Sequence, residues 1–401
     1  MIDFKINKDE FIYKVWYTFL FLLIIDMGGG IGLKNIAFLI LIVGSILIML
    51  FFKIKISIGT YFVEFFIFLI CPLLLIFYST IFLNVPLSNQ IPQITAFITF
   101  FSLILASNLK NKNALIKSIE KMAIFSAYIV LVTFLFIYLL HLIGKDNVIY
   151  FINSITNNFN MGYIGINPLG AQIGIFLPNV YYVWSLLLIP FTIIFIEKSK
   201  FRFIICILAS FMTLSTGVVL FVIIGILLTI LLKNKFSIKP RYLIYFMLVG
   251  ILILLLFKFG IADIFFSKLN VNSDSSSTKI GHIQSVLKEV FASPYNFLFG
   301  MGLGTYFYSI GAQAEVVNIE VSHFNLIRQF GIIYFCMFLI YILNLVINIS
   351  RIDFQGKKIA VGLLTLFIAA GTNPLLISPV FFIWLVITKS YIVLSKQGEK
   401  S

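Results

Sequence analysis

Long apolar segments separated by short polar connections make up most of the chain. A segment of about 20 mostly apolar residues is long enough to cross a bilayer as a helix. The pattern predicts about twelve such helices, between eleven and thirteen, at residues 12–26, 35–52, 61–82, 93–107, 122–143, 181–197, 201–215, 216–232, 242–259, 325–349, 359–372 and 374–394. The stretches 201–232 and 359–394 are each divided in two because small, glycine- or proline-containing turns interrupt them, with a single span in either stretch as the alternative.

Composition agrees with this pattern. The 401 residues are 61% hydrophobic and 11% charged, whereas a soluble domain has about 45–50% apolar and about 25% charged residues. A soluble globular enzyme, a disordered chain and a collagen-like fibre are therefore excluded. The expected fold is an all-α integral membrane protein, a polytopic helical bundle whose partner is the lipid bilayer.

The net charge of +14 is distributed unevenly between the two sides of the predicted bundle. When the spans are numbered from the N-terminus, 22 of the 29 basic residues fall on one side and 7 on the other. The positive-inside rule assigns the side with 22 to the cytoplasm, so both termini are expected there. The acidic pair before the first span, Asp9 and Glu10, argues against a cleaved signal peptide. Because the basic residues lie in short, separate loops, a nucleic-acid partner is not expected.

Three regions follow from this topology. Residues 1–259 hold nine predicted helices and an outer loop at 144–180. Residues 260–322 form a large extracytoplasmic loop, and residues 323–401 hold the last three helices and a cytoplasmic tail. Long connections are usually functional or disordered, and the apolar content of the 260–322 loop indicates that it is folded.

A short amphipathic helix is expected inside the large loop. Residues 275–278 are serines and a threonine that can cap a helix, residues 279–293 have helical length, and Pro294 stops it. Positions 283, 286, 287, 290 and 291 form one apolar face, and His282, Ser285 and Glu289 form the polar edge. The helix is predicted to lie against the membrane or the bundle, and a plain interfacial helix whose polar edge only meets water is the alternative.

Candidate chemistry clusters around the end of this loop. Gly300, Gly302 and Gly304 alternate in a segment where their backbone freedom permits close approach of a ligand or a helix. Asn325, Arg328 and Gln329 share one face at the start of the tenth predicted span. Arg328 needs a partner, an anion or a cavity at this depth; its fork suits phosphate, and snorkelling to headgroups is the alternative.

Two histidines complete the candidate set, because His282 and His323 can accept a proton near neutral pH. A structural hydrogen-bonding role is the alternative for each. Cys71, Cys206 and Cys336 each lie in an apolar segment without metal-ligand spacing, so neither a disulfide framework nor a metal site is predicted, and no cofactor is expected.

The order of these features resembles the O-antigen polymerase and ligase family, bacterial polytopic glycosyltransferases with a GT-C-like fold. The resemblance covers residues 278–331, with a weaker match at 214–217. It consists of a basic residue (Lys279 or His282), then Pro294, then the alternating glycines 300–304, then a loop histidine (His323) followed by Gly331. Phe324 separates His323 from Asn325, a departure from the ligase pattern that favours a polymerase. The family's Ser-x-Ser-Arg is replaced by Ser215-Thr216-Gly217-Val218.

What the resemblance implies is polymerisation of undecaprenyl-diphosphate-linked oligosaccharide repeat units on the periplasmic face of the bacterial inner membrane. Arg328 and loop cations (Lys279, His282 or Lys288) would stabilise the diphosphate leaving group without a metal, together with Asn325, Gln329 and the three alternating glycines. His323 or Glu289 would accept the acceptor's hydroxyl proton. The resemblance also admits a chain-length regulator protein and a flippase as partners.

The alternatives are a lipid-linked oligosaccharide flippase or other secondary transporter, a ligase of the same fold, and a cell-wall glycosyltransferase of the elongation type. The length of the 260–322 loop argues against a transporter, which is expected to have mostly short loops.

Overall fold

The fold is given by a computed structural model, which describes residues 7–52, 61–166, 178–233 and 274–398. These residues are mostly helical, and the helices are α1 (Lys8–Ile25), α2 (Leu33–Phe52), α3 (Phe62–Ile81), α4 (Leu87–Ala106), α5 (Lys112–Leu142), α6 (Asp146–Asn158), α7 (Ser185–Ile194), α8 (Lys200–Met212), α9 (Thr216–Leu231), α10 (Asp274–Val290), α11 (Pro294–Phe299), α12 (Ser322–Ser350), α13 (Phe354–Ala369) and α14 (Pro379–Gly398). Two antiparallel hairpins accompany them, β1 (Gly162–Ile166) with β2 (Pro178–Tyr182) and β3 (Phe307–Ser309) with β4 (Ala314–Val316).

Helices occupy each predicted span that falls within the described ranges, while the predicted span 242–259 and residues 260–273 of the large loop lie outside them. Both predicted divisions are present as helix breaks, between α8 and α9 and between α13 and α14. Six helices of the described residues are long and apolar enough to cross a membrane: α2, α3, α4, α5, α12 and α14. The expected number of twelve crossings is therefore not confirmed, because several of the other helices are shorter or more polar.

Local sequence explains where several helices begin. Asn111, Ser215 and Asp353 precede α5, α9 and α13, and each side chain accepts a hydrogen bond from a backbone N–H in the first turn. The break before α9 places Leu214 at φ 46°, a left-handed conformation that a continuous helix does not contain.

The most buried helices, α7 and α14, lie at the centre of the bundle. All seven residues of α7 from Leu188 to Ile194 are buried, and in α14 Phe381 and Trp384 are fully enclosed. The outer helices, in contrast, expose large apolar side chains, among them Leu50, Phe77 and Ile340. Such broad apolar faces are stable in lipid rather than in water, so the chain is a helical membrane protein.

The connections predicted to share one side of the membrane also meet in space. At one end, the turn after α1 packs on the loop after α6: a Cβ at Gly28 would lie 1.7 Å from the carbonyl oxygen of Asn160. At the other end, Lys112 pairs with Asp353 at 2.8 Å and Lys389 with Glu64 at 2.5 Å. We call these the outer end and the basic end.

Both predicted outer loops contain folded elements. The 144–180 loop holds α6 and hairpin β1–β2, with residues 167–177 outside the described ranges. The 274–321 part of the large loop holds α10, α11 and hairpin β3–β4, and we call it the cap. The expected helix is present, but it includes residues 275–278, which were predicted to cap its N-terminus.

The predicted faces of α10 are wrong in part. Val286 and Val290 are buried as expected, whereas Leu287 and Phe291 of the same predicted apolar face are 38% and 65% exposed. The predicted polar edge is instead buried at His282 and Ser285, because hairpin β3–β4 packs against that side of the helix.

Candidate functional site

A kink at Gly331 shapes the outer end of α12. Gly331 has φ 80° and ψ 169°, outside the helical region, so the α12 carbonyls that precede it are free of their usual helical partners. The backbone N–H of Met301 donates to the carbonyl of Arg328 at 2.7 Å, and that of Gly302 donates to Gln329 at 3.2 Å. The cap is thus joined to α12 by backbone hydrogen bonds at the kink.

The three alternating glycines are needed for this close packing. Gly300, Gly302 and Gly304 all have positive φ, between 75° and 97°. A Cβ at Gly300 would lie 2.4 Å from the carbonyl oxygen of Gln329, and one at Gly302 would lie 2.7 Å from Ser79 Oγ. The three glycines were predicted to bind substrate. In the structure they pack directly against helices instead: Gly300 against α12, Gly302 against α3 and Gly304 against α4.

Arg328, although charged, is fully buried beneath the cap. Its Nη1 donates to the carbonyl and the hydroxyl of Thr305, at 3.1 and 2.9 Å. Its Nη2 donates to the carbonyl of Val317 at 2.5 Å and to Asn325 Oδ1 at 3.3 Å, and its guanidinium stacks 4.4 Å from the centre of the Phe307 ring. The predicted need for a partner is met by the cap itself, which Arg328 fastens to α12.

A cluster of amide side chains continues from Arg328. Asn318 Oδ1 accepts from Asn325 Nδ2 at 3.1 Å and from Gln329 Nε2 at 2.9 Å. The Gln93 amide satisfies both of its atoms when its oxygen accepts from Asn318 Nδ2 at 3.0 Å. With Arg328, these four residues form what we call the outer polar cluster.

Two polar atoms of the outer polar cluster are buried without a partner among the described residues, namely Arg328 Nε and Gln329 Oε1. An unsatisfied buried donor or acceptor costs about 1–3 kcal/mol, so such atoms are uncommon in a purely structural cluster. This donor and acceptor give the cluster unused capacity for a polar ligand.

His282 fastens α10 to the hairpin. Its Nδ1 shares a 2.5 Å hydrogen bond with Ser309 Oγ, and the neighbouring Ser285 Oγ accepts from the N–H of Ile310 at 2.8 Å. Burial lowers the pKa of His282 because it disfavours the charged imidazolium, an effect that the nearby Glu320 carboxylate opposes. The environment of His282 therefore favours the neutral ring.

The remaining charged candidates lie at the edge of the cap. Lys279 pairs with Glu320 at 3.6 Å, and Lys288 is exposed. Glu289 is half-buried, and its charge acts on the Arg328 guanidinium although the two side chains form no ion pair in the described structure. These three side chains therefore lie outside the hydrogen-bonded outer polar cluster.

His323 points to another part of the bundle. Its ring packs edge-on against Phe367 of α13, with centroids 4.7 Å apart, and against Phe335, 6.2 Å away. His323 and Arg328 are five positions apart in the helix, which places them on different faces of α12. The structure therefore does not bring His323 to the outer polar cluster.

An apolar groove of about 410 Å³ lies beside the outer polar cluster. It runs between α3 and α12 below α11, and its lining includes Leu74, Tyr78, Tyr295, Phe330, Ile333 and Tyr334. Leu74, Tyr295 and Ile333 are exposed at 43–64%, so the groove opens toward the lipid. Residues 325–334 of α12 thus present polar side chains to the cluster and apolar ones to the groove.

Sequence reasoning missed the contributions of α3, α4 and the cap hairpin. Gln93 and Asn318 are central to the cluster, Ser79 Oγ accepts from the N–H of Leu303 at 2.7 Å, and Thr305 holds Arg328. A usable signal was present in α4, where Gln90 and Gln93 fall one turn apart in a helix long and apolar enough to cross a membrane. The partners in the cap carried no comparable signal.

Fold and site together define a helical membrane protein with a folded cap over a polar cluster that is buried except at Asn318. Comparison with protein-family models, with curated proteins and with solved structures gives no match.

Proposed function

We propose that the protein is a polysaccharide polymerase of the O-antigen type, which joins undecaprenyl-diphosphate-linked repeat units on the periplasmic face of the bacterial inner membrane. The observation that carries the proposal is the adjacency of the outer polar cluster and the apolar groove along one stretch of α12. A lipid-linked sugar needs both environments at once, a polar one for the diphosphate and glycan and an apolar one for the polyprenyl chain.

The proposed reaction is a metal-independent glycosyl transfer. The acceptor hydroxyl oxygen attacks the anomeric carbon of the donor glycan, and a new glycosidic C–O bond forms. The bond from that carbon to the diphosphate oxygen breaks, and the lipid diphosphate leaves with the electron pair. The acceptor's proton passes to a carboxylate, which we assign to Glu289 of the cap in preference to His323, because the His323 ring packs against Phe367 away from the outer polar cluster.

Arg328 has two parts in this proposal. Its Nη atoms hold Thr305 and Val317 of the cap, and its buried positive charge favours the negative charge that develops on the leaving diphosphate. Gln329 and Asn325 extend the cluster, and Lys279 and Lys288 at the edge of the cap attract the anionic substrate. The basic end then faces the cytoplasm, as the charge distribution predicts.

The test uses purified protein mixed with lipid-linked repeat units and no nucleotide sugar. A ladder of longer lipid-linked chains is the expected product. Arg328→Ala should abolish the ladder, and Glu289→Gln should slow it by about 10²-fold or more if Glu289 is the general base. Glu315→Gln is the matched control, because Glu315 is an exposed acid of the same cap.

Other outcomes distinguish the alternatives. Movement of repeat units across the bilayer without elongation would indicate a flippase. Transfer only after addition of a lipid A-core acceptor would indicate a ligase. An unchanged rate in Glu289→Gln together with a large loss in His323→Gln would transfer the base assignment to His323.

A further inference from the structure

A second groove, of about 680 Å³, opens at the basic end, away from the outer polar cluster. It lies between α1, α5 and the start of α8. Its charged lining consists of Lys117, Glu120, Lys121, Lys198 and Arg202. Four basic side chains thus face one acidic side chain around a single opening.

The acidic residue, Glu120, forms ion pairs with only two of the four basic residues. Glu120 is 8% exposed and pairs with Lys198 through Oε1 and with Arg202 through Oε2, the latter at 3.5 Å. Lys117 and Lys121 have no acidic partner in the described ranges. The groove therefore keeps a positive charge that its own residues do not neutralise.

Lys121 is held in position by aromatic rings. Its ammonium lies 5.3 Å from the centre of the Tyr17 ring and 5.6 Å from that of Tyr13, within the range of a cation–π contact. Such contacts orient the charge and leave its N–H donors available. Lys121 is accordingly a fixed cation at the mouth of the groove.

An apolar surface continues from the cations along α5. Ile116, Ile124 and Phe125 line the groove itself. Tyr128 also lines the groove, and it is exposed at 45%, as are Val132, Leu135 and Leu139 further along the same helix at 57–63%. Their spacing of three or four residues continues the face that carries Lys117 and Lys121. The charged groove therefore leads directly onto a lipid-facing stripe.

We propose that this groove binds the phosphate headgroup of an anionic lipid, with its hydrocarbon chain along the exposed face of α5. A lipid can place its phosphate on the basic residues and its hydrocarbon chain on the apolar stripe beside them. A free phosphate ion would contact only the basic residues. Interfacial Lys and Arg residues attract anionic lipid headgroups electrostatically. Because the groove lies at the opposite end from the outer polar cluster, the inference does not depend on the proposed reaction.

Native mass spectrometry of the full-length protein tests the proposal. The protein is titrated in detergent with phosphatidylglycerol, with undecaprenyl phosphate and with zwitterionic phosphatidylcholine. Tighter binding of at least one anionic lipid than of phosphatidylcholine is expected. The double variant Lys117→Gln/Lys121→Gln should weaken that binding at least tenfold, and the anionic lipid that loses more affinity identifies the source of the phosphate.

The matched control is Lys110→Gln/Lys396→Gln, which removes two exposed charges at the same end but outside the groove. It should bind within twofold of the unaltered protein. Equal losses in the two double variants, or no preference for anionic lipid in the unaltered protein, would overturn the proposal. If the groove variant is less stable without lipid, Lys117→Gln alone gives the same comparison, since its exposed side chain has no acidic partner in the described structure.

Discussion

Gly331 is the residue on which the junction between α12 and the cap depends. Its φ of 80° and ψ of 169° lie in a region that is essentially restricted to glycine, and a Cβ there would lie 2.2 Å from the carbonyl oxygen of Leu298. We expect Gly331→Ala to destabilise the protein by about 3 kcal/mol or more, from about 1–3 kcal/mol of backbone strain plus the steric clash. Thermal unfolding of the purified protein measures the effect.

Gly144 provides the control for backbone strain without a clash. It also has positive φ, at 68°, but a Cβ there would meet no described atom within 4 Å. Gly144→Ala should therefore cost only about 1–2 kcal/mol, the penalty of a left-handed conformation. Equal losses of stability in the two variants would contradict the view that close contact with α11 requires Gly331 to be glycine.

Residue chemistry could be predicted from the sequence more readily than residue partners. Arg328 stands out in an apolar helix, and its need for compensation follows from the energy of burying a charge. Its actual partners, Thr305 and the carbonyl of Val317, are loop groups whose positions depend on the fold of the cap. The kink had a weaker signal, because an isolated glycine in a helical segment is often tolerated without a bend.

Among the elements, α10 shows why helix faces are harder to predict than helices. Its length and apolar spacing were sufficient to predict a helix. The sequence pattern assumed a single apolar environment, whereas hairpin β3–β4 buries His282 and Ser285 on one side and leaves Phe291 65% exposed on another. A helix that packs against a hairpin on one side and is exposed on another does not follow a simple apolar-against-polar division.

The burial of His282 predicts that the cap loosens at acidic pH. Burial lowers the pKa of this histidine in the folded state below the ordinary value of 6.5. Well above pH 6.5 the ring is neutral in both states, and this group does not lower the stability of the cap. As the pH falls below 6.5, the unfolded cap takes up a proton that the folded cap resists, so its free energy of unfolding decreases until the folded-state pKa is passed.

Hydrogen exchange of the cap amides between pH 7.5 and about 5, corrected for intrinsic exchange rates, measures this change. Protection of residues 282–290 and 307–310 should fall in the unaltered protein. In His282→Gln, which keeps a side chain able to hydrogen-bond but removes the titration, the fall should be absent. Identical pH profiles in the two proteins would show that another group is responsible.

At the scale of the whole molecule, the distribution of basic residues predicted which connections between helices lie at the same end of the bundle. Connections assigned to one side by their lysines and arginines meet each other in the fold, as Lys112 meets Asp353 and Lys198 meets Glu120. This agreement arises because short loops keep neighbouring helix ends together, while the cost of moving a cation through lipid keeps the two ends separate. The number of membrane crossings is harder to predict from the sequence, because a short apolar helix such as α7 is buried by its neighbours and has the same composition as part of a membrane span.

The same reasoning predicts the orientation of the two ends. A cysteine in place of Glu315, on the cap, should react with a membrane-impermeant maleimide in intact spheroplasts. A cysteine in place of Lys110 or Lys396 should react only after the membrane is permeabilised, because both positions are exposed at the basic end. The unaltered protein is the control: Cys71, Cys206 and Cys336 lie within apolar helices, and Cys336, although exposed, is on the apolar surface of α12, so none of the three should react. Labelling of positions 315 and 110 from the same side would place the cap and the basic end on one face of the membrane, which would contradict both the topology and a periplasmic active site.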